Sequence, residues 1–313
     1  MRIVFFGSPT EAATSLESLI SEGHDIVAVY SRPDQRAGRG RAETPTPVKV
    51  FALERNLPVF TPKGLRNNAE EQSRLTEADA DVFVVVAYGR ILPPELLQIP
   101  AMGVVNVHPS LLPRYRGPSP VVNAILDGES QTGVTVMLLD EGMDTGPILA
   151  QSAPLQLVGD EKGAELQERL FETGVAMLPG VLKGLGDGSI TPVPQDDALA
   201  TTTGLIERSD GEIDWSMRSD QIDRMVRAYD PWPGTFTSWN GKGLKILDAR
   251  AIDGPSGGSA EPGRVVKIDG RLLVGTGSGS LEISRVQLEG RQAVAANDFL
   301  RGQPEFEGAT LGS

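Results

Sequence analysis

The sequence predicts an α/β fold, a doubly wound and mainly parallel sheet, followed by a small all-β barrel. Three observations carry this expectation. The first two thirds alternate short apolar runs with helical spacings. The last third holds short strands joined by two-residue turns, and a stretch without periodicity lies between the two parts. A chain of 313 residues has room for two such domains.

Residues 3–6, 26–30, 82–87 and 104–107 are apolar or β-branched runs of the kind that buried parallel strands show. Between the first two, residues 11–20 place Ala12, Leu16, Leu19 and Ile20 at helical spacing. Thr46 before Pro47 reads as an N-cap with proline at the first helical position, opening a helix to about Arg55. Alternating strands and helices imply right-handed crossovers, and in such sheets ligands gather at the carboxyl ends of the strands. The site is therefore sought after Phe6, Ala87, Val107 and Leu139. Residues 187–203, rich in proline, threonine, glycine and aspartate, read as a linker. Domains are accordingly expected over residues 1–189 and 207–313, with the linker at 190–206. In the second, residues 222–228 look helical, and strands are expected at 235–239, 245–252, 264–268, 272–275 and 281–286. Asn240-Gly241 and Asp269-Gly270 are hairpin turns, since both residues of such a turn need positive φ. About five antiparallel strands suit a small barrel, and the oligonucleotide-binding kind is one economical closure. Trp215, Trp232 and Trp239 all fall here and are expected in its core.

Composition narrows the function. With 39% hydrophobic and 23% charged residues the chain is expected to be globular. No run approaches the ~20 apolar residues of a membrane helix. The apolar start ends at Gly7, too early for a signal peptide, so a soluble, cytoplasmic enzyme is expected. The absence of cysteine excludes disulfides, thiolate metal sites and cysteine nucleophiles. His24 and His108 are the only histidines, too few for a histidine cage, and no metal is expected. Pro9 and Ala12 stand where a dinucleotide fingerprint beginning at Gly7 needs glycine, which disfavours a nucleotide cofactor. The net charge of −13 repels phosphate and speaks against broad nucleic-acid binding. One local exception exists. Arg32, Arg36, Arg39 and Arg41 lie close together, opposed only by Asp34.

The strongest chemical constellation is Asn106-Val107-His108-Pro109-Ser110-Leu111-Leu112-Pro113. Residues two apart in a strand share a face, so Asn106 and His108 project together at the strand end. Pro109 stops the strand and opens a loop whose backbone groups can bind a ligand. An amide beside an imidazole offers hydrogen-bond donors to a carbonyl oxygen and a group that moves protons near neutral pH. A buried polar pair satisfied by backbone is the competing explanation. The second constellation is the strand from Val134 running into Asp140-Glu141-Gly142-Met143-Asp144-Thr145-Gly146, which is expected to place a carboxylate at the same sheet edge. Asp144 is the candidate to orient His108 or act as a base, with Asp140 and Glu141 as competitors. A turn aspartate bonding its own backbone is the alternative.

Asn106-x-His108-x-Ser110-Leu111-Leu112-Pro113, followed by Met-Asp144-Thr-Gly, resembles the formyltransferases that use 10-formyltetrahydrofolate, and within them the methionyl-tRNA formyltransferase family. Pro33-Asp34, Ala37-Gly38-Arg39-Gly40, Pro47-Val48-Lys49, Val86-Ala87-Tyr88-Gly89, Ile213-Asp214-Trp215 and Pro231-Trp232-Pro233 extend the resemblance along the whole chain. It implies a Rossmann-like catalytic domain and a C-terminal barrel that holds tRNA. It implies transfer of a formyl group from 10-formyltetrahydrofolate, as cosubstrate, to the α-amino group of methionyl initiator tRNA. Asn106, His108 and Asp144 match the family's catalytic triad, and Ser110, Leu111, Leu112 and Pro113 its folate loop. Arg39 matches the tRNA-contacting loop, which also carries Arg36 and Arg41. Gly117-Pro118-Ser119-Pro120 departs from the family's usual Gly-Ala-Ala-Pro. The alternatives are a formyltransferase for an amino sugar nucleotide or glycinamide ribonucleotide, and an RNA-binding module without catalysis. A monomer is expected.

Overall fold

A computed structural model describes residues 1–37, 42–252 and 260–312. They gather into two compact units, the first of Met1–Gly117, Thr132–Leu155 and Gln167–Thr203, the second of Pro118–Gln131, Gln156–Leu166 and Gly204–Ser313.

The chain opens with β1 (Arg2–Gly7), α1 (Thr10–Ser21), β2 (Asp25–Tyr30), β3 (Gln35–Ala37), β4 (Ala42–Thr44), α2 (Pro47–Glu54), β5 (Val59–Phe60), α3 (Ala69–Glu77), β6 (Val82–Val86), α4 (Pro94–Leu97) and β7 (Val104–His108). It continues with α5 (Pro120–Leu126), β8 (Gln131–Thr132), β9 (Thr135–Leu138), β10 (Ile148–Gln151), β11 (Leu155–Gln156) and α6 (Gly163–Asp187). The expected strands and helices of this part are all present, and the Thr46 hydroxyl accepts from the Lys49 amide at 3.2 Å as an N-cap.

The main sheet has the order β10-β9-β7-β6-β1-β2-β5. β5, β2, β1, β6 and β7 run parallel, in a register that aligns Tyr30, Phe6, Val85 and Asn106 in one row. One sheet face is aromatic: Phe6 stacks on Tyr30 at 4.9 Å and meets Phe83 and Tyr88. The other face receives α6, which Gly174 lets approach closely, since a Cβ there would lie 2.4 Å from Val107 Cγ1. That helix was not legible in the sequence because Gly174, Pro179, Gly180 and Gly184 interrupt its apolar spacing.

One expectation is overturned. β9 runs antiparallel to β7, with His108 opposite Thr135 and Val105 opposite Leu138. The carboxyl end of β9 therefore lies behind His108, at the other end of the sheet. Short apolar runs carry no record of strand direction, so periodicity could not reveal it.

In the second unit α7 (Ser219–Ala228) precedes β12 (Thr235–Trp239), β13 (Lys242–Ile252), β14 (Val265–Ile268), β15 (Arg271–Gly275), β16 (Ser280–Leu288), β17 (Val294–Ala295) and α8 (Ala296–Gly302). The strands form an antiparallel sheet in the order β12-β13-β16-β15-β14, with β17 on β16. Both predicted turns have positive φ throughout: 50° and 70° at Asn240 and Gly241, 51° and 78° at Asp269 and Gly270. β13 shifts register between Ile246 and Ala249, the irregularity by which a long strand bends. Trp215 and Trp239 are in the core, where Trp239 meets Phe299 and Phe306 edge-on. Trp232 is not, contrary to expectation: it is 59% exposed, flanked by Pro231 and Pro233 in the turn before β12.

Candidate active site

At the edge where β1, β2, β6 and β7 end, one hydroxyl ties together the loops after the first three. Ser8 Oγ donates to the Tyr88 carbonyl at 3.2 Å and accepts from the Arg32 amide at 3.3 Å, so the loops after three strands share one buried clasp. Asn106 and His108 stand at the end of β7 on the aromatic face. Asn106 is half-buried, and among the described residues its side-chain amide has no hydrogen-bond partner. An unpartnered amide at a strand end is free to serve a ligand.

His108 is buried, with Nε2 2.9 Å from the Tyr115 carbonyl oxygen. A carbonyl only accepts, so Nε2 carries a proton and donates it, and Nδ1 is the nitrogen left to work. Nδ1 lies 3.7 Å from Asp144 Oδ2, an ion-pair separation rather than a hydrogen bond. The same carboxylate oxygen accepts from the Gly117 amide at 2.8 Å. Gly117 has φ of 107°, and a Cβ there would meet the Thr203 carbonyl at 2.5 Å, so only glycine presents its amide in this way. Asp144 itself sits at φ 53°, within a loop that folds back from the end of β9 onto the face that carries His108. Its route differs from the expected one; its destination does not. Asp140 and Glu141 are exposed, and Asp140 Oδ1 accepts from the Gly142 amide and the Thr145 hydroxyl. Asp140 is thus the turn aspartate, and Asp144 alone of the three reaches His108.

The loop after β7 divides its labour. Ser110 Oγ donates to the Arg114 carbonyl at 2.7 Å, and Thr135 Oγ1 donates to the Ser110 carbonyl at 2.7 Å while accepting from the Leu112 amide at 3.0 Å. Gln151 Nε2 donates to the Leu112 carbonyl at 2.8 Å. Ser110 and Leu112 are buried and hold the loop; Leu111 and Pro113 are half-buried and present surface.

Sequence reasoning missed a second support. Gln195 Nε2 donates to the carbonyls of Asp144 and Gly146 at 2.8 and 2.7 Å, and its Oε1 accepts from Arg116 Nε at 3.0 Å. Buried Arg116 also pairs with Asp197 at 2.7 Å. Residues read as part of a linker thus brace the Asp144 loop, and Val193 pairs there with Ile148. No periodicity signals such a strut; Gln-Asp-Asp within a proline-rich run was the only local sign.

Arg39 and Arg41 lie outside the described residues. Arg36 belongs to β3, its backbone opposite Glu43 of β4. In the departure Gly117-Pro118-Ser119-Pro120, Pro118 is exposed, Ser119 precedes α5 and Pro120 takes its first position. Among the described residues no three histidine, aspartate or glutamate side chains converge as metal ligands, and no helix is long and apolar enough to cross a membrane.

Residues 1–182 match the family described as formyl transferase, and residues 205–304 match the formyl transferase C-terminal domain. The chain is 46% identical over 304 residues to a methionyl-tRNA formyltransferase of Chloroflexus aurantiacus, covering 96% of this chain and 97% of that one. It is 47% identical to that of Roseiflexus castenholzii, covering 100% and 99%. Among solved structures, an N-formyltransferase from Helicobacter canadensis, bound to folinic acid and dTDP-3-aminofucose, superposes with a TM-score of 0.68 at 18% identity, over 93% of this chain and 99% of that one. HypX from Aquifex aeolicus with tetrahydrofolic acid gives 0.62 at 19%, over 98% and 47%. At such identity these two structures speak for the fold alone.

Proposed function

Since the chain belongs to the methionyl-tRNA formyltransferase family, we propose that it transfers the formyl group of 10-formyltetrahydrofolate to the α-amino group of methionyl initiator tRNA. The observation that carries this reading is the unpartnered Asn106 amide beside a His108 ring whose Nδ1 faces Asp144. The folate supplies an activated formyl group on N10. Asn106 donates to the formyl oxygen as negative charge grows there, a preorganised donor in a partly dry site. With Nε2 committed to the Tyr115 carbonyl, the second proton of a charged His108 ring sits on Nδ1, on the Asp144 side. Asp144 takes a proton from the attacking amine and His108 returns one to the departing nitrogen, so the transfer is proton-neutral. Ser110 and Leu112 shape the loop on which the folate rests, and Leu111 and Pro113 offer it their surfaces. Arg36, Arg39 and Arg41 contact the tRNA. We read the enzyme as cytoplasmic and monomeric.

The test is transfer of labelled formyl from formyltetrahydrofolate to charged initiator tRNA, to glycinamide ribonucleotide and to an amino sugar nucleotide. Label on the tRNA alone is expected. Label on either small acceptor in preference to tRNA overturns the reading, and release of formate with no acceptor labelled overturns it equally.

A further inference from the structure

The arginines that cluster in the sequence do not share one situation. Arg32 follows β2, and its amide donates to Ser8, just past the end of β1, at the carboxyl edge where β6 and β7 also end. Its backbone is held there by the Ser8 clasp. Its guanidinium does not point out along the loop. It lies over Gly89, where a Cβ would be 3.4 Å from Nη1, 3.5 Å from Cζ and 3.6 Å from Nε. Gly89 follows β6, so the side chain reaches back across β1 toward the strand next to Asn106 and His108.

This guanidinium is uncompensated. Arg32 is half-buried, Nε is fully buried without a partner, and among the described residues no carboxylate pairs with it. The nearest acid in sequence, Asp34, is held by Lys49 Nζ at 2.8 Å to both oxygens. Glu71, the other acid of this face, is taken by Arg74 and the Tyr30 hydroxyl. Tyr88 leaves a second buried orphan, its hydroxyl. A guanidinium whose Nε is drawn out of water unmet costs stability, and a chain of net charge −13 has carboxylates to spare for it. That none is supplied marks a place kept for an anion from outside.

We propose that Arg32 and the Gly89 backbone form an anion subsite that takes the phosphate of the acceptor's 3′-terminal nucleotide. The inference rests on the tRNA reading above. Strand spacing puts the subsite about one to two strand widths, ~5–10 Å, from the Asn106–His108 edge. In an aminoacyl-tRNA the phosphate nearest the reactive amine lies one ribose away, which such a gap spans. The planar fork suits phosphate oxygens, and a glycine beneath it leaves room for them. The glutamate carboxylate of the folate offers the same anionic oxygens from the other substrate, so the test separates the two.

Steady-state kinetics of Arg32→Gln and Arg32→Lys, with each substrate varied at several salt concentrations, decides the matter. For Arg32→Gln we expect KM for charged tRNA to rise about tenfold and the salt dependence to flatten by about one unit of slope. KM for formyltetrahydrofolate and kcat at saturating tRNA should stay near wild type, and Arg32→Lys should recover part of the loss. An unchanged tRNA KM and slope overturn the subsite. A rise in the folate KM instead assigns the guanidinium to the folate carboxylate, and a lowered Tm with both constants unmoved makes it structural; each overturns the proposal. Failure of the wild-type enzyme to formylate tRNA would sink the functional reading itself, a different result.

Discussion

At the scale of single residues the site is a set of commitments. His108 Nε2 is spent on a carbonyl and Asp144 Oδ2 accepts from a backbone amide, while the Asn106 amide and His108 Nδ1 make no hydrogen bond among the described residues. Asn106→Ala should therefore lower kcat on the order of 10²–10³-fold with little change in folate affinity, because the amide acts mainly on charge that develops during reaction. Near-normal turnover would remove it from the chemistry. Gln195 spends its amide on two carbonyls and on Arg116, and so positions the Asp144 loop. Gln195→Ala should cost roughly tenfold in kcat, in line with a shifted supporting group, with both KM values held. Gln195→Glu keeps the shape and loses the donors, so it should behave like alanine. Two variants that raise KM for either substrate while sparing kcat would show that the strut shapes a binding surface.

Elements bring those residues together, and two of them can be tested by their packing. Gly174 on α6 faces Val107, the residue between Asn106 and His108. Alanine is the better helix former by about 1 kcal/mol, yet its Cβ would lie 2.4 Å from Val107 Cγ1. We expect Gly174→Ala to destabilise by about 1–2 kcal/mol, since overpacking outweighs propensity, and to depress kcat through the strand. A stabilised and fully active variant would show that β7 yields at no cost. In the second unit, buried Glu161 accepts from the Val158 and Gly159 amides at 2.6 and 3.0 Å. Burial works to raise its pKa, but those amides and the Arg227 charge outweigh it and hold the carboxyl below its ordinary range. A depressed folded pKa gives stability that is present above the unfolded value, about 4.3, and is lost as pH falls through the folded one. Glu161→Gln should cost about 1–2 kcal/mol at neutral pH, with the difference from wild type shrinking below about pH 4. A constant difference across that range would reject the carboxylate's role.

For the whole molecule, a field of −13 must admit a polyanion. Long-range repulsion makes productive approach depend on the few places where positive charge is concentrated. Arg39→Ala should raise the KM for charged tRNA several-fold and flatten its salt dependence by about one unit if it meets one phosphate, with folate KM intact. An unchanged constant and slope would turn attention from this loop to another surface.

The two kinds of domain, most strand positions, both positive-φ turns and the Asn106-His108-Asp144 motif were legible in the sequence, because periodicity, turn stereochemistry and motif are local properties. Trp232 and α6 escaped because neighbours many residues away decide burial, and because glycines that permit close packing look locally like breaks. The direction of β9, the proton-bearing nitrogen of His108 and the brace from Gln195 came only from the tertiary structure. Each depends on which backbone groups lie within hydrogen-bond reach after folding, as His108 meets the Tyr115 carbonyl at 2.9 Å and Asp144 the Gly117 amide at 2.8 Å. Composition determined what this chain could not use, such as thiolates and histidine cages. Distance determined which of the remaining groups work together, because hydrogen bonds fade within an ångström or so of their best length while sequence separation says nothing of that reach.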